Sequence, residues 1–412
     1  MRILVTGTNR PCHERLRRAG HDLVLFLPRG KAKPDDLNEY ELLVLLDDDA
    51  DEGQWADIAE ACHKRRPFDS VVAYHEESYP LAVAIAGRLG IGSRIDLALL
   101  DRLRNKAVMR DVLAERGVPS CRYERARGED EVREAVERIG MPCIIKPQDG
   151  EGSRGVAKIV SPADIEPALS WVGSPTLERG VLVEEFMAGE EFSVEAVSDA
   201  HRHYVLAVTK KYKDDRTFVE HGHVVPAPLD DASRSEIEKY VGTALTALGV
   251  HDCPSHTEVM LTDRGPRIIE THSRVGGDRI VELVHLATGV DLYDLVARQS
   301  LGQDIAPLLA AREDRRRSAA VWYAAPSGPP THRLIEVGDV DRARALPSVE
   351  RVEILRVAGS RASEVCASAD RSALAIAEAD SPHEALHRAQ EAVRTLQFRY
   401  VWDPDGVCGS EG

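Results

Sequence analysis

Short apolar runs alternate with polar, helix-patterned stretches over residues 1–95. The runs are Ile3–Val5, Asp22–Phe26, Leu42–Leu46 and Val71–Tyr74. Continuous apolar runs of this length are typical of strands whose two faces are both covered by helices in a parallel sheet. The pattern therefore predicts an N-terminal parallel α/β domain over residues 1–95.

A different pattern begins near residue 96, where some strands alternate polar and apolar positions. The spacing predicts a helix over Leu97–Arg116, and a strand at Pro142–Pro147 that ends in proline. Glu191–Val197 alternates with a period of two residues and is expected to pair with Tyr204–Val208. This order predicts a central α+β domain over residues 96–310.

One helix of this central domain has predicted ends. Apolar residues recur at helical spacing over residues 237–248. Ser233 or Ser235 is the expected N-cap, and Gly249 is the expected stop because glycine adopts the left-handed conformation that ends many helices.

The last hundred residues contain shorter elements. Arg312–Arg317 is charged and is expected to be a linker. Ala320–Tyr323 and Val352–Leu355 are strand-like, and Pro382–Leu396 has a helical pattern. These elements predict a small C-terminal α+β domain over residues 311–412.

Composition excludes several classes of protein. The 412 residues include 53 Lys and Arg against 69 Asp and Glu, a formal net charge of −16, which argues against a general nucleic-acid binder. A small anionic ligand needs only a few local cations and stays compatible with this balance. Since no apolar run approaches the ~18 residues of a membrane span, we expect no membrane partner. The seven cysteines without a Cys-x-x-Cys pair, and the absence of a signal-peptide pattern, indicate a cytoplasmic protein.

A glycine-rich segment, Asp149–Val156, directly follows Lys146 and Pro147. Glycines let backbone N–H groups approach a ligand closely, and successive N–H groups can form an anion-binding concavity. Lys146 would add a fixed positive charge. The alternative is a plain hairpin tip, and the segment is not a Walker A loop because no Gly-Lys-Ser/Thr follows.

Two glutamates occupy a predicted β-hairpin. If the turn centres on Arg264, Glu258 and Glu270 stand directly opposite each other, with Cβ atoms ~5 Å apart. Two carboxylates this close repel each other unless a cation bridges them, and oxygen ligands favour Mg²⁺. The same register places His256 opposite His272. Two exposed glutamates on an ordinary hairpin remain the alternative.

Ser273–Arg279 follows this hairpin and leads into a helix for which Asp278 is the expected N-cap. Arg274 would lie beside any metal bound by the glutamates, and an arginine fork suits a carboxylate or a phosphate. Taken alone, Arg274 is more typical of a surface arginine. His221 and His223, which follow Glu220, form either a ligand pair or a simple loop.

Taken in this order, the segments resemble the ATP-grasp superfamily and, within it, the ligases that join two amino acids. The resemblance covers roughly residues 1 to 310. It implies an ATP-grasp architecture of α/β and α+β class, with an N-terminal parallel α/β domain, a central ATP-grasp domain and a small C-terminal α+β domain.

The resemblance also implies residue roles in nucleotide binding. Lys106 and Lys146 resemble the phosphate-binding lysines. The loop at residues 150–155 resembles the lid over the phosphates. The loop residues expected to contact the nucleotide are Gly152, Ser153 and Gly155, those expected in the adenine hinge are Glu184, Phe186 and Met187, and the one expected at the ribose is Glu191.

The remaining implied roles concern the metal and the substrates. Glu258 and Glu270 resemble the Mg²⁺ ligands, and His272 stands where the family often has an asparagine ligand. Arg274 resembles the residue that holds the substrate carboxylate and the acyl phosphate, with the Gly276 and Gly277 amides beside it at the oxyanion. The residues expected to face the amino-acid substrate are Glu220, His223 and Glu76.

The implied reaction uses ATP with Mg²⁺, for which Mn²⁺ is an alternative, and activates an amino-acid carboxylate as an acyl phosphate. An amine of a second amino acid then attacks, and ADP and phosphate are released. The expected partners are small amino-acid or amine substrates; the oligomeric state stays open, with a homodimer as one option. The alternatives are a carboxylating or formyl-transferring ATP-grasp enzyme, and a non-catalytic nucleotide sensor.

Overall fold

The computed structural model describes residues 1–149, 155–310, 317–325, 331–362, 365 and 367–403. The first part is the parallel sheet predicted from the apolar runs, and its strand order is β3-β2-β1-β4. Helices pack on the sheet, and strand residues such as Leu4 and Phe26 are fully buried. The elements are β1 (Arg2–Thr6), α1 (Arg10–Arg18), β2 (Asp22–Pro28), α2 (Asp36–Glu39), β3 (Leu42–Leu46), α3 (Glu52–Arg65), β4 (Ser70–Ala73) and α4 (Tyr79–Leu89).

The helix predicted over Leu97–Arg116 is two helices, α5 (Leu97–Arg104) and α6 (Lys106–Glu115). The break is at Asn105, whose side chain accepts hydrogen bonds from the backbone N–H groups of Ala107 and Val108 at 3.0 and 3.1 Å. An asparagine N-cap satisfies donors that a helix start leaves free, and it therefore starts a new helix here. Lys106 consequently lies in the first turn of α6.

A small antiparallel sheet follows, in the order β5-β8-β6-β7. Helices cover one face of it, and their apolar residues form a separate core with the strands. The elements are β5 (Tyr123–Ala126), α7 (Gly128–Ile139), β6 (Cys143–Pro147), β7 (Ala157–Ile159), α8 (Ile165–Val172), α9 (Ser174–Arg179) and β8 (Val181–Glu185).

A large antiparallel sheet occupies the centre and continues into the C-terminal part, in the order β13-β12-β9-β10-β11-β14-β17-β16. The predicted boundary near residue 311 thus falls between strands of one continuous sheet. The elements up to that boundary are β9 (Glu190–Asp199), β10 (Arg202–Lys213), β11 (Glu220–Val225), α10 (Asp231–Leu248), β12 (Cys253–Thr262), β13 (Gly265–His272), α11 (Ile280–Thr288), α12 (Leu292–Ser300) and α13 (Ala306–Ala310).

The C-terminal part adds three strands to the large sheet and a separate pair of strands beside it. The helix predicted at Pro382–Leu396 is confirmed. The elements are β14 (Ser318–Ala324), β15 (His332–Gly338), α14 (Val340–Arg344), β16 (Val349–Ile354), β17 (Ala373–Ala379), α15 (Pro382–Thr395) and β18 (Gln397–Trp402).

For α10, the predicted C-terminal end is confirmed and the predicted N-cap is wrong. Gly249 ends the helix in the left-handed conformation, with φ of 73°. The N-cap is Asp230, whose carboxylate accepts a hydrogen bond from the Ser233 backbone at 2.8 Å, so neither Ser233 nor Ser235 has that role. Within the described residues, no helix is long and apolar enough to span a membrane.

Candidate functional site

A pocket between the small sheet and the large sheet brings together most of the residues predicted for the nucleotide and the metal. Strands β6 and β8 form one wall, and β9, β10, β12 and β13 form the other. The predicted residues that line it are Lys106, Lys146, Glu184, Phe186, Met187, Glu191, Glu220, Glu258 and Glu270. The pocket, which we call the nucleotide pocket, thus unites residues separated by more than a hundred positions in the sequence.

The predicted pairing of the two glutamates is confirmed. Glu258 is opposite Glu270, and His256 is opposite His272. The turn itself differs from the prediction, because Thr262 pairs with Gly265 and only Asp263 and Arg264 lie between them. A regular ladder from that turn would place Glu258 opposite residue 269. The register shifts by one residue between Glu258 and Val259, so that a β-bulge restores the pairing.

Each of these carboxylates is paired with a lysine in the pocket. Lys106 Nζ lies 2.9 Å from Glu270 Oε2, and Lys211 Nζ lies 2.5 Å from Glu258 Oε1. Burial alone would raise the pKa of both carboxyls, but Lys211 lowers that of Glu258 and Lys106 lowers that of Glu270. Both glutamates are therefore ionised, as metal ligands must be.

The donor set of the pocket fits Mg²⁺. The described residues contain no group of three or more His, Cys, Asp or Glu side chains that could hold a metal. The protein would instead supply the carboxylate oxygens of Glu258 and Glu270. Mg²⁺ is commonly held by one or two carboxylates, with substrate phosphates and water completing its shell, so two are sufficient.

His272 contacts a carboxylate with each ring nitrogen. Nε2 lies 3.2 Å from Glu270 Oε1, and Nδ1 lies 3.2 Å from Glu76 Oε2. Glu76 also accepts hydrogen bonds from the Ser273 backbone at 2.7 Å and from the Ser273 hydroxyl at 3.2 Å. Glu76 therefore fixes the position of the chain just before Arg274. A metal-ligand role for His272 and a substrate role for Glu76 stay predictions.

Glu184 lies between two cations inside the pocket wall. Its carboxylate is 2.7 Å from Lys146 Nζ and 2.9 Å from Arg110 Nε. Burial would raise its pKa, but Arg110 and Lys146 lower it to about 2. This carboxylate already has two cationic partners, and the predicted adenine contacts of Glu184, Phe186 and Met187 stay predictions.

Two lysines of β10 were missed by the sequence analysis. Lys211 is buried, and its ammonium contacts Glu258, Glu191 at 2.9 Å and Glu220 at 3.4 Å. Lys213 pairs with Glu191 and also lines the pocket. The sequence does hold a signal, because alternate residues of a strand share one face and the run Lys-Lys-Tyr-Lys therefore places two lysines together.

A larger cavity of about 1170 Å³ lies beside this pocket, between the N-terminal sheet and the start of α11. We call it the substrate cavity. Gly7–Asn9 and Glu76 line one side, and Arg274 to Arg279 line the other. The predicted residues Arg274, Gly276 and Gly277 therefore share this cavity with Glu76.

Arg274 differs from two other arginines of the substrate cavity, Arg279 and Arg351, because those two form salt bridges. Arg279 pairs with Glu353 at 2.5 Å, and Arg351 pairs with Glu282 at 3.0 Å. Arg274 donates to its neighbour's carbonyl, Val275 O, at 3.1 Å and forms no salt bridge within the described part of the chain, although its charge helps to lower the pKa of Glu76. Its guanidinium is therefore available to an anionic ligand.

Gly276 lies against a buried ion pair. Glu195 Oε1 is 2.8 Å from His256 Nδ1, and a Cβ atom at Gly276 would lie 2.8 Å from Glu195 Oε2 and 3.0 Å from His256 Nδ1. A Cβ atom at Gly277 would have no neighbour within 4 Å among the described atoms. The chain can therefore approach Glu195 this closely only with glycine at position 276.

We expect Gly276→Ala to lower the rate of ADP formation by about 10-fold or more, because its methyl group displaces the turn after Arg274 and small misplacements are costly in catalysis. Gly277→Ala, which adds the same atom at a place with room for it, should have a clearly smaller effect. Steady-state kinetics on both variants test this. Equal losses would show that the contact with Glu195 does not position the turn.

Asp278 is not the N-cap that the sequence predicts. Helix α11 begins after Arg279, and Asp278 and Arg279 both have positive φ, at 48° and 67°. The Asp278 carboxylate instead pairs with Arg371, with one contact at 2.9 Å, and with His223 at 3.4 Å. Such backbone is unfavourable for residues other than glycine, so the contacts of Asp278 with Arg371 and His223 hold the turn in place.

Arg371 is a second residue that the sequence analysis missed. It precedes β17 in the C-terminal part, and its guanidinium lies 3.8 Å from the ring centre of Tyr323. It also donates to the Glu220 backbone at 3.4 Å. His223 is almost fully buried behind this turn and lines neither cavity, so the structure places Glu220 in the nucleotide pocket and His223 beside Asp278.

The glycine-rich segment is described only in part. Gly152 and Ser153 lie outside the described residues. Gly155 has a positive φ of 71°, and a Cβ atom there would lie 3.2 Å from the Pro147 ring. The predicted lid function of the segment stays a prediction.

Three family models match the chain. An ATP-grasp N-terminal domain matches residues 14–92, an ATP-grasp domain matches 139–282, and an L-amino acid ligase C-terminal domain 2 matches 329–401. The chain is 30% identical over 307 residues to an uncharacterised protein of Sinorhizobium fredii. This alignment covers 73% of this chain and 62% of that protein. It is 27% identical to the alanine–anticapsin ligase of Bacillus subtilis strain 168, over 53% of this chain and 50% of the relative. The chain thus matches only 62% and 50% of the length of these curated relatives.

Solved structures show the same fold over nearly the whole chain. The crystal structure of an L-amino acid ligase from Bacillus licheniformis aligns with a TM-score of 0.84 at 22% identity, covering 97% of this chain and 98% of that one. A phosphoribosylglycinamide synthetase from Anaerococcus prevotii aligns with a TM-score of 0.72 at 16% identity, covering 97% and 99%. At these identities, the alignments establish the architecture alone.

Proposed function

We propose that this chain, which belongs to the ATP-grasp superfamily and has its N-terminal, central and C-terminal parts, is an ATP-dependent carboxylate–amine ligase. In this proposal an amino-acid carboxylate is activated as an acyl phosphate and is coupled to the amine of a second amino acid. ADP and phosphate leave. The matching C-terminal model and the ligase among the curated relatives support the amino-acid class of substrate.

One observation carries the proposal. The segment from Glu270 to Arg274 connects the two cavities, because Glu270 lines the nucleotide pocket and Arg274 lines the substrate cavity. A carboxylate suited to Mg²⁺ and an arginine that forms no salt bridge with any described residue therefore lie four residues apart. A carboxylate substrate bound by Arg274 would lie next to the phosphates, as phosphoryl transfer to it requires.

The nucleotide pocket supplies positive charge where the phosphates would lie. Lys106, Lys146 and Lys211 line it, and Lys106 and Lys211 pair with the two carboxylates proposed for the metal. Mg²⁺, when bound by Glu258 and Glu270, would neutralise phosphoryl charge. Phosphate oxygens would then replace these carboxylates as partners of the lysines, so that the lysines stabilise the charge of the transferring phosphoryl group.

The substrate cavity supplies the groups for the second half of the reaction. Arg274 binds the activated carboxylate, and its fork suits both a carboxylate and an acyl phosphate. The amine then attacks, and the Arg274 guanidinium and the backbone N–H groups of Gly276 and Gly277 stabilise the developing oxyanion. The Asp278–Arg371 pair keeps this turn in position from the C-terminal part.

The test is the release of ADP and phosphate from ATP and Mg²⁺ with a panel of amino acids, supplied singly and in pairs. We expect release that requires a pair, and a product whose mass equals the two acids minus water. Release with bicarbonate or a formyl donor alone would favour the other ATP-grasp activities. ATP binding by the folded protein without release under any of these conditions would favour a nucleotide sensor.

A further inference from the structure

Arg110 is the largest fully buried side chain among the described residues. It lies on α6, one turn after Lys106, and none of its surface reaches solvent. Its Nε donates to Glu184 Oε1 at 2.9 Å, while Nη1 donates to Ile268 O and Nη2 to Ile269 O, both at 2.9 Å. One guanidinium therefore joins β8 to the backbone of β13.

The two carbonyls that Arg110 binds belong to consecutive residues at the β-bulge. In a regular strand, successive carbonyls point to opposite edges, so one side chain cannot reach both at this distance. They can point the same way where a bulge bends the strand. Among the described strands, β13 is the edge of the large sheet and has no neighbour on this side to supply donors to these carbonyls, and Arg110 supplies them instead.

The bulge decides where Glu270 points. The turn at Thr262 and Gly265 sets a register in which Glu270 would pair with Thr257. A shift of one residue sends a side chain to the other face of the sheet. Without the extra residue, Glu258 and Glu270 would lie on opposite faces, and no cation could bind both.

The other arm of Arg110 reaches the phosphate-binding side. Glu184, which Arg110 holds by Nε, lies 2.7 Å from Lys146 Nζ. Lys106, on the same helix as Arg110, lies 2.9 Å from Glu270. Through Glu184, Arg110 therefore connects Lys146 to the hairpin that carries both carboxylates, and Lys106 contacts that hairpin directly.

We propose that Arg110 is a positioning residue that fixes the β-bulge at Ile268–Ile269 and thereby keeps Glu258 and Glu270 on one face as a cation site. The inference rests on the proposed function, because that function supplies the role of the two glutamates. Arg110 reaches neither substrate nor cation in this account and acts through the strand backbone.

The informative variant is Arg110→Lys, which keeps a positive charge beside Glu184 but cannot also bind two carbonyls. Mn²⁺ binding in the presence of ADP, followed by electron paramagnetic resonance, measures the cation site without turnover. We expect the Mn²⁺ affinity of Arg110→Lys to be about 10-fold or more below that of the wild type, which is the effect typical of removing a partner that positions a metal ligand. ADP binding without Mn²⁺ should change much less.

Arg102→Lys is the matched control. Arg102 lies on the neighbouring helix and also binds a backbone carbonyl, Leu248 O at 2.6 Å, but it lines neither cavity. We expect its Mn²⁺ affinity to equal that of the wild type. If Arg110→Lys does not fold, judged by circular dichroism, Arg110→Gln replaces it, because Glu184 then keeps Lys146 as its cationic partner at 2.7 Å and no buried charge is left unpaired.

The outcomes separate this inference from the proposed function. Wild-type Mn²⁺ affinity in a folded Arg110 variant would overturn the positioning role and leave the ligase proposal intact. Equal losses of ADP binding and Mn²⁺ binding would also overturn it, since they would indicate a general structural role. Failure of the wild-type protein to bind Mn²⁺ with ADP would overturn the cation site and, with it, both proposals.

Discussion

Glu270→Gln should lower the rate of ADP formation by about 100-fold or more, the size of a single electrostatic contribution at a preorganised site. Glutamine keeps the size of the side chain and removes its charge. The cation site then loses one of its two carboxylates, and Lys106 loses its anionic partner at 2.9 Å. Steady-state assays at several Mg²⁺ concentrations measure this, and excess Mg²⁺ should restore part of the rate.

Glu190→Gln is the control for this variant. Glu190 is an exposed glutamate at the start of β9 that pairs with Lys210 at 3.2 Å and does not line the nucleotide pocket. We expect it to keep the wild-type rate. A wild-type rate in Glu270→Gln as well would remove the paired-carboxylate site from the account.

The second large effect is expected at Arg274. Arg274→Ala should also lower turnover by about 100-fold or more, because it removes the cation proposed to bind the carboxylate and the oxyanion. ATP affinity should change little, since Arg274 lines the substrate cavity and lies outside the nucleotide pocket. Calorimetric titration with ATP and Mg²⁺, compared with the turnover rate, separates the two effects.

A paired arginine of the same cavity provides the comparison for Arg274. Arg351 already has Glu282 as its partner at 3.0 Å, and both side chains are partly exposed. Such pairs contribute little, so Arg351→Ala should change turnover by less than about 5-fold. Losses of similar size in both variants would mean that the absence of a carboxylate partner at Arg274 has no functional meaning.

The sequence predicts the pairing of Glu258 with Glu270 from a turn centred on Arg264, and the structure reaches it by a tighter turn and a bulge. The tighter turn shifts the register by one residue, and the bulge shifts it back. The hydrophobic pattern and the turn residues are local, so a hairpin is predictable from them. The bulge depends on Arg110, more than 150 positions earlier, and no local pattern indicates that contact.

Local signals also explain the other successes and failures. The strands of the N-terminal sheet and the stop at Gly249 are predictable because apolar runs and glycine act through neighbouring residues. The break at Asn105 was missed because the apolar spacing continues across it. Lys211 was missed although the alternation of lysines along β10 is a local signal, whereas Arg371 was missed because its role arises only when the C-terminal part packs against the central strands.

The central claim is that the substrate carboxylate receives the terminal phosphate of ATP. Amino acids labelled with ¹⁸O in their carboxyl groups test it most directly, when incubated as a complete panel with ATP, Mg²⁺ and the protein. The released phosphate is then analysed by mass spectrometry. The account predicts phosphate that carries one ¹⁸O atom, taken from the activated carboxylate when the amine displaces phosphate. Release of unlabelled phosphate, or no release with the complete panel, would contradict it.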